Sequence, residues 1–150
     1  MTKLLFGGLI AIILLGLYAY ATVDAIAAAL CLAAGPCDTY SHGLTEGVQT
    51  VLNLVGGLVS ALVIAQLAIT QPGAAPGAGL LADNATDISK NMVKIISVVY
   101  VAVWVVCGLA ALIVGYLKYP DKVPELTASA KSWLGLAVAA AYSYLGLKPA

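Results

Sequence analysis

Hydrophobic positions along this chain fall into long blocks that polar residues interrupt at few points. The first block, residues 4–34, contains one charged residue, Asp24. Such blocks predict helices, because the strands of a membrane β-barrel would alternate polar and apolar residues. A helix in lipid also satisfies its backbone N–H and C=O groups within its own segment. The pattern therefore predicts an all-α chain.

Helix-breaking residues divide the chain into four predicted helices. Gly35-Pro36 ends the first helix, a linker rich in Pro and Gly at 71–87 separates the second from the third, and Pro120 follows the third. The predicted helices cover about residues 4–34, 44–70, 88–117 and 125–147. We treat residues 1–150 as one membrane domain, which the linker can divide into two helical hairpins.

The composition indicates whether these helices are surrounded by water or by lipid. The chain is 62% hydrophobic and only 9% charged, with a mean hydropathy of +1.01, so it has too little charge to cover a water-facing surface. We therefore predict an all-α integral membrane protein, a bundle of three to four transmembrane helices. The fourth helix carries Lys131 and either spans the bilayer or lies in its interface.

The placement of lysines predicts the orientation in the membrane. The first loop, residues 35–43, has no lysine, and cytoplasmic loops are usually enriched in lysine and arginine. We therefore expect a multi-pass protein with a cytoplasmic N-terminus and this loop outside. Lys118 and Lys122 then also fall outside, which goes against the rule.

Charge and motifs exclude several function classes. Seven Lys balance seven acidic residues, there is no arginine, and no basic cluster exists that would track phosphates. Nucleic acid is therefore not an expected partner. The chain also lacks a phosphate-binding loop, a serine elbow, paired histidines and a row of carboxylates, so we predict a non-enzyme without cofactor or metal.

Small residues recur at four-residue spacing in three of the helices. In lipid this spacing lets helix backbones approach closely, because van der Waals contact replaces the hydrophobic drive for association. Two interpretations stay open: an interface between subunits, or ordinary packing within one chain. The predicted helix-packing residues are Gly56, Gly57, Ser60, Ala61, Ala111, Gly115, Gly135, Ala139 and Ser143.

A few polar residues lie inside the apolar blocks: Asp24, Glu46, Asn53, Gln66 and Lys94. Asp24 either ends the first span at the interface or serves as a proton or cation site. The hairpin around Gly35-Pro36 places Asp24 and Asn53 at similar depth, which predicts a hydrogen bond between them. Glu46 complements the start of a helix, and Lys94 is close enough to a helix start to snorkel.

Cys31 and Cys37 flank the first turn on the side assigned outside. They form either a disulfide, if that compartment is oxidising, or two free thiols. A metal cluster with Asp38 and His42 is not expected, because the spacing matches no established zinc pattern.

Function follows from size, packing residues and missing catalytic motifs. We expect a structural or accessory subunit of a multi-subunit membrane assembly, such as a respiratory-type complex, a secretion or pilus-like machine, or a membrane-rich virus particle. Its partners are then the lipid bilayer and either copies of itself or other membrane subunits. Two alternatives are a holin-like homo-oligomeric pore and a small proton or cation transporter that uses Asp24.

Overall fold

A computed structural model describes residues 2–68 and 87–145 of the chain. Every regular element among these residues is a helix. The predicted linker at 71–87, apart from Asp87, lies outside the described residues, as does the predicted fourth helix beyond Leu145.

Four continuous helical segments make up the fold. The first, α1, is Thr2–Ala34, and the last, α4, is Pro124–Leu145. The second, α2, joins α-helical Glu46–Thr50, π-helical Val51–Val55 and α-helical Gly56–Ala68. The third, α3, joins α-helical Asp87–Ala111 to π-helical Leu112–Lys118.

Local signals fix the turn between α1 and α2. The chain leaves α1 at Gly35, whose φ of 134° suits glycine because it has no Cβ. The side chain of Thr45 then caps α2 by accepting a hydrogen bond from the amide of Val48 at 3.4 Å. Glu46, in the first turn, complements the positive end of the helix dipole.

Backbone hydrogen bonds and the Thr127 hydroxyl together hold the turn between α3 and α4. The Thr127 hydroxyl lies within hydrogen-bonding distance of the carbonyl oxygens of Gly115, Pro120 and Val123. Pro124 occupies the first position of α4, where its missing N–H costs nothing. The end of α3, the turn and the start of α4 are thereby tied together.

The helices alternate in direction and form one bundle. The loop residue Leu44 shares a core cluster with Val123 and Leu126, which places both turns at the same end. We call this the loop end, defined by residues 35–45 and 119–123. Because α2 packs along α4 and α1 along α3, the two predicted hairpins form one unit.

Large side chains pack directly against glycines at three points of the bundle. A Cβ on Gly56 would lie 3.3 Å from Cε2 of Tyr18, and a Cβ on Gly115 would lie 2.6 Å from Cγ of Leu126. A Cβ on Gly108 would overlap the indole of Trp133. The glycines therefore determine how closely the helices approach.

The outer surface of the bundle is apolar. Phe6, Val106 and Leu117 each have about two thirds of their surface exposed. Three helices in the described part are long and apolar enough to cross a membrane, at Phe6–Ala34, Glu46–Ala65 and Asn91–Lys118. The fourth segment, α4, is not among them.

We predict that Gly108→Ala destabilises the bundle by about 1–3 kcal/mol, the usual cost of overpacking, because the added methyl group overlaps Trp133. Gly135→Ala is the matched control, since a Cβ there meets no atom within 4 Å. Thermal unfolding in detergent would compare the two variants. Equal stability of both would contradict the packing described here.

Candidate functional site

A buried hydrogen bond joins α2 to α3 near the middle of the bundle. The indole Nε1–H of Trp104 donates to the Ser60 hydroxyl oxygen at 2.9 Å, and that hydroxyl donates to the Gly56 carbonyl at 2.8 Å. Trp104 and Ser60 are each only 2% exposed. The indole N–H and the serine hydroxyl therefore both have hydrogen-bond partners at a position where neither lipid nor apolar side chains could supply one.

A second tryptophan extends this layer to α4. The rings of Trp104 and Trp133 have centroids 5.5 Å apart and planes tilted by 53°, a favourable arrangement for aromatic side chains. The Nε1–H of Trp133 and the hydroxyl of Tyr100 are buried without a hydrogen-bond partner among the described residues. This layer is therefore held by packing more than by hydrogen bonds.

A cavity of about 240 Å³ lies beside this layer, between α2 and α4 with Tyr18 of α1 contributing to its wall. We call it the α2/α4 cleft. Its polar lining comprises one amide, three serine hydroxyls, one indole and one phenol, and none of the described lining residues is charged. The residues that line it are Tyr18, Leu52, Asn53, Gly56, Gly57, Ser60, Ser129, Ser132, Trp133 and Leu136.

The predicted helix-packing residues divide into two groups. Gly56, Ser60, Ala111 and Gly115 are buried within the bundle, and Ser143 is partly buried. The others are exposed on the outer surface: Gly57, Ala61, Gly135 and Ala139. The four-residue spacing thus occurs both at contacts within the chain and on surfaces left open to the surroundings.

The predicted hydrogen bond between Asp24 and Asn53 is wrong. Oδ1 of Asp24 instead accepts a hydrogen bond from the Tyr40 hydroxyl at 2.9 Å. The reason is the loop, which folds back over the end of α1, with Gly43 at a φ of 79° and its amide donating to the Tyr40 carbonyl.

The remaining predicted polar residues do not meet in one site. Asn53 is exposed on α2 and lines the α2/α4 cleft, whereas Glu46 is exposed in the first turn of the same helix. Lys94 is exposed on α3. The side chain of Gln66 lies outside the described residues.

The first loop is fixed to α1 at two points. A disulfide joins Cys31 to Cys37 with a Cα–Cα distance of 5.7 Å, and the Tyr40–Asp24 hydrogen bond lies two turns earlier on α1. Since both sulfurs are bonded to each other, neither is a thiolate that would bind a metal. Donation to Asp24 is the main cause that raises the pKa of Tyr40 above its ordinary value of 10.0.

Three of these contacts were not predicted from the sequence: Trp104 with Ser60, Tyr40 with Asp24, and Trp133 with Gly108. Each joins residues far apart along the chain. The only available signal was residue type, since a serine among apolar residues and a glycine inside a helix both point to close helix packing.

Comparisons of the chain with protein-family models, with curated proteins and with solved structures found no match. Function is therefore argued from the residues themselves. The features that bear on it are the apolar outer surface, the fixed loop end and the uncharged α2/α4 cleft.

We predict that Ser60→Ala destabilises the bundle by about 1 kcal/mol, because it leaves the buried indole N–H of Trp104 without an acceptor. In a Trp104→Phe background the same substitution should lower the free energy of unfolding by less, since no indole N–H remains to be satisfied. A double-mutant cycle of unfolding free energies measures the difference. Equal costs in both backgrounds would show that the hydrogen bond contributes nothing.

The Tyr40–Asp24 bond predicts a pH dependence at the loop end. Its stabilisation is full below the ordinary pKa of 10.0 and is lost as pH rises through the higher pKa of folded Tyr40, because only the protonated phenol donates. The difference in phenolate absorbance between the unsubstituted chain and Tyr40→Phe reports this one group. In an Asp24→Asn background we expect its titration to move down towards pH 10; an unchanged titration would contradict the assignment.

Proposed function

We propose that this chain is a multi-pass membrane protein that acts as a structural or accessory subunit of a membrane-embedded assembly. The observation that carries the proposal is the exposed amide of Asn53 within Glu46–Ala65, a helix apolar enough to span a bilayer. Hydrocarbon offers an amide no hydrogen bond, whereas a neighbouring helix does.

The surface around Asn53 supports contact with a neighbouring helix. Gly57 and Ala61 follow it at successive four-residue steps and are exposed, so a partner backbone can approach closely. Ser132 is exposed on the α4 side of the cleft. Small and neutral polar side chains together are typical of helix–helix interfaces in membranes.

The contact of Asp24 supports a structural role over proton or cation transport. Its carboxylate is held by the Tyr40 hydroxyl, which belongs to the first loop. A carboxylate fixed in this way anchors the loop to α1. We therefore expect Asp24→Asn to alter the loop end and to leave membrane assembly intact.

We further propose that the loop end faces an oxidising compartment outside the cytoplasm. The Cys31–Cys37 disulfide supports this, because disulfides persist where the surroundings are oxidising. The N-terminus is then cytoplasmic.

Native mass spectrometry after gentle extraction tests the assembly. We expect the chain to leave the membrane within a larger complex, either with other subunits or with copies of itself, because lipid alone leaves Asn53 without a hydrogen-bond partner. A monodisperse monomer, with no partner at any detergent concentration that preserves the fold, would overturn the proposed function.

Cysteine labelling tests the orientation. In a Cys107→Ala background, we would place a single new cysteine at Asp121, exposed at the loop end, or at Asn91, exposed near the start of α3. A membrane-impermeant maleimide added to intact cells should label Asp121→Cys and not Asn91→Cys. The reverse pattern would place the N-terminus outside.

A further inference from the structure

We propose that the α2/α4 cleft receives a second copy of this chain, related to the first by a two-fold axis along the membrane normal. The Asn53 side chains of the two copies then lie opposite each other and exchange hydrogen bonds. This inference rests on the proposed function, because it needs the helices to lie in a membrane.

The exposed polar groups at the mouth of the cleft are neutral. Asn53 presents an amide from α2, and Ser132 presents a hydroxyl from α4, with the partly buried Ser129 beside it. Since no described residue lining the cleft carries a charge, a charged partner group would enter without a counter-ion. The occupant therefore offers neutral hydrogen-bonding groups.

The cleft also leaves space for the partner to approach. A Cβ added to Gly57 would meet no atom within 4 Å, so no neighbouring side chain covers the backbone of α2 at this point. Ala61 continues the same exposed face one turn further on. Beside this face the cavity of about 240 Å³ provides room for a side chain from the neighbouring helix.

Depth and chemistry favour a second copy over an unrelated helix. Copies inserted in the same orientation carry Asn53 at the same depth, so a two-fold axis brings the amides together without further adjustment. An amide offers both a donor and an acceptor, which makes it complementary to itself. An unrelated helix would need its own amide or hydroxyl at this one level.

Self-cross-linking of Ala61→Cys in the native membrane tests the proposal, because Ala61 lies on the same exposed face and the Asn53 amide stays in place. The background is Cys107→Ala with the Cys31–Cys37 disulfide retained, so the new thiol is the one free cysteine. A mild oxidant should produce a covalent dimer of the chain, because a two-fold axis places the two thiols together. Leu62→Cys is the matched control, being 44% exposed on the same helix but about 100° around it.

A second pair of variants tests the space in the cleft. Gly57→Leu fills the open face and should reduce the dimer fraction about tenfold or more. Gly135→Leu is equally open but lies outside the cleft, and should leave the dimer fraction unchanged. Retention of the Cys31–Cys37 disulfide and of helical circular dichroism shows that each variant folds.

The outcomes separate this proposal from the proposed function. Cross-linking of Ala61→Cys to a different protein, or a complex in native mass spectrometry without any Ala61→Cys dimer, overturns the second copy and leaves the subunit role standing. Equal dimer yields from Ala61→Cys and Leu62→Cys also overturn it, because random collision would explain both. A monomer in every measurement overturns both proposals.

Discussion

The bundle depends on large side chains that pack against glycines. Lipid tails are as apolar as the helices, so helices in a bilayer associate through close van der Waals contact and not through burial from water. Tyr18 against Gly56 provides this contact between α1 and α2, and both Trp133 against Gly108 and Leu126 against Gly115 provide it between α3 and α4. A side chain at any of these glycines would move the helices apart.

The central hydrogen bond follows from the same close approach. Ser60 reaches Trp104 at 2.9 Å only because α2 and α3 are held near each other within the bundle. Its hydroxyl serves both helices, since it accepts from the indole and donates to the Gly56 carbonyl in its own helix. Asn53, seven residues earlier on α2, has the opposite surroundings, because it lies at the outer surface beside a cavity. The helix α2 thus carries Ser60, whose hydrogen bonds are made inside the bundle, and Asn53, whose amide is exposed on the outer surface.

The helices could be predicted from the sequence, and their contacts could not. The predicted helix ends lie within two residues of Thr2–Ala34 and Pro124–Leu145 wherever the structure describes them, because breakers such as Gly35-Pro36 are local signals. Which face turns inward depends on neighbouring helices. Gly56 and Gly57 match the same spacing pattern, yet Gly56 is buried under Tyr18 and Gly57 is exposed. The predicted Asp24–Asn53 bond failed similarly, because depth alone cannot locate a folded-back loop.

The polar groups of the loop end and those of the α2/α4 cleft differ in where their hydrogen-bond partners lie. At the loop end the disulfide, the Tyr40–Asp24 bond and the Thr127 hydroxyl fix both turns to the helices they connect. These contacts are made within the chain, and water at a membrane surface would satisfy the same groups if they opened. Under the proposed membrane placement, Asn53 lies deeper along α2, where water is absent and the amide gains a hydrogen bond only from another protein segment. The loop end is therefore held by contacts within the chain, whereas the proposed subunit role has a partner complete the α2/α4 cleft.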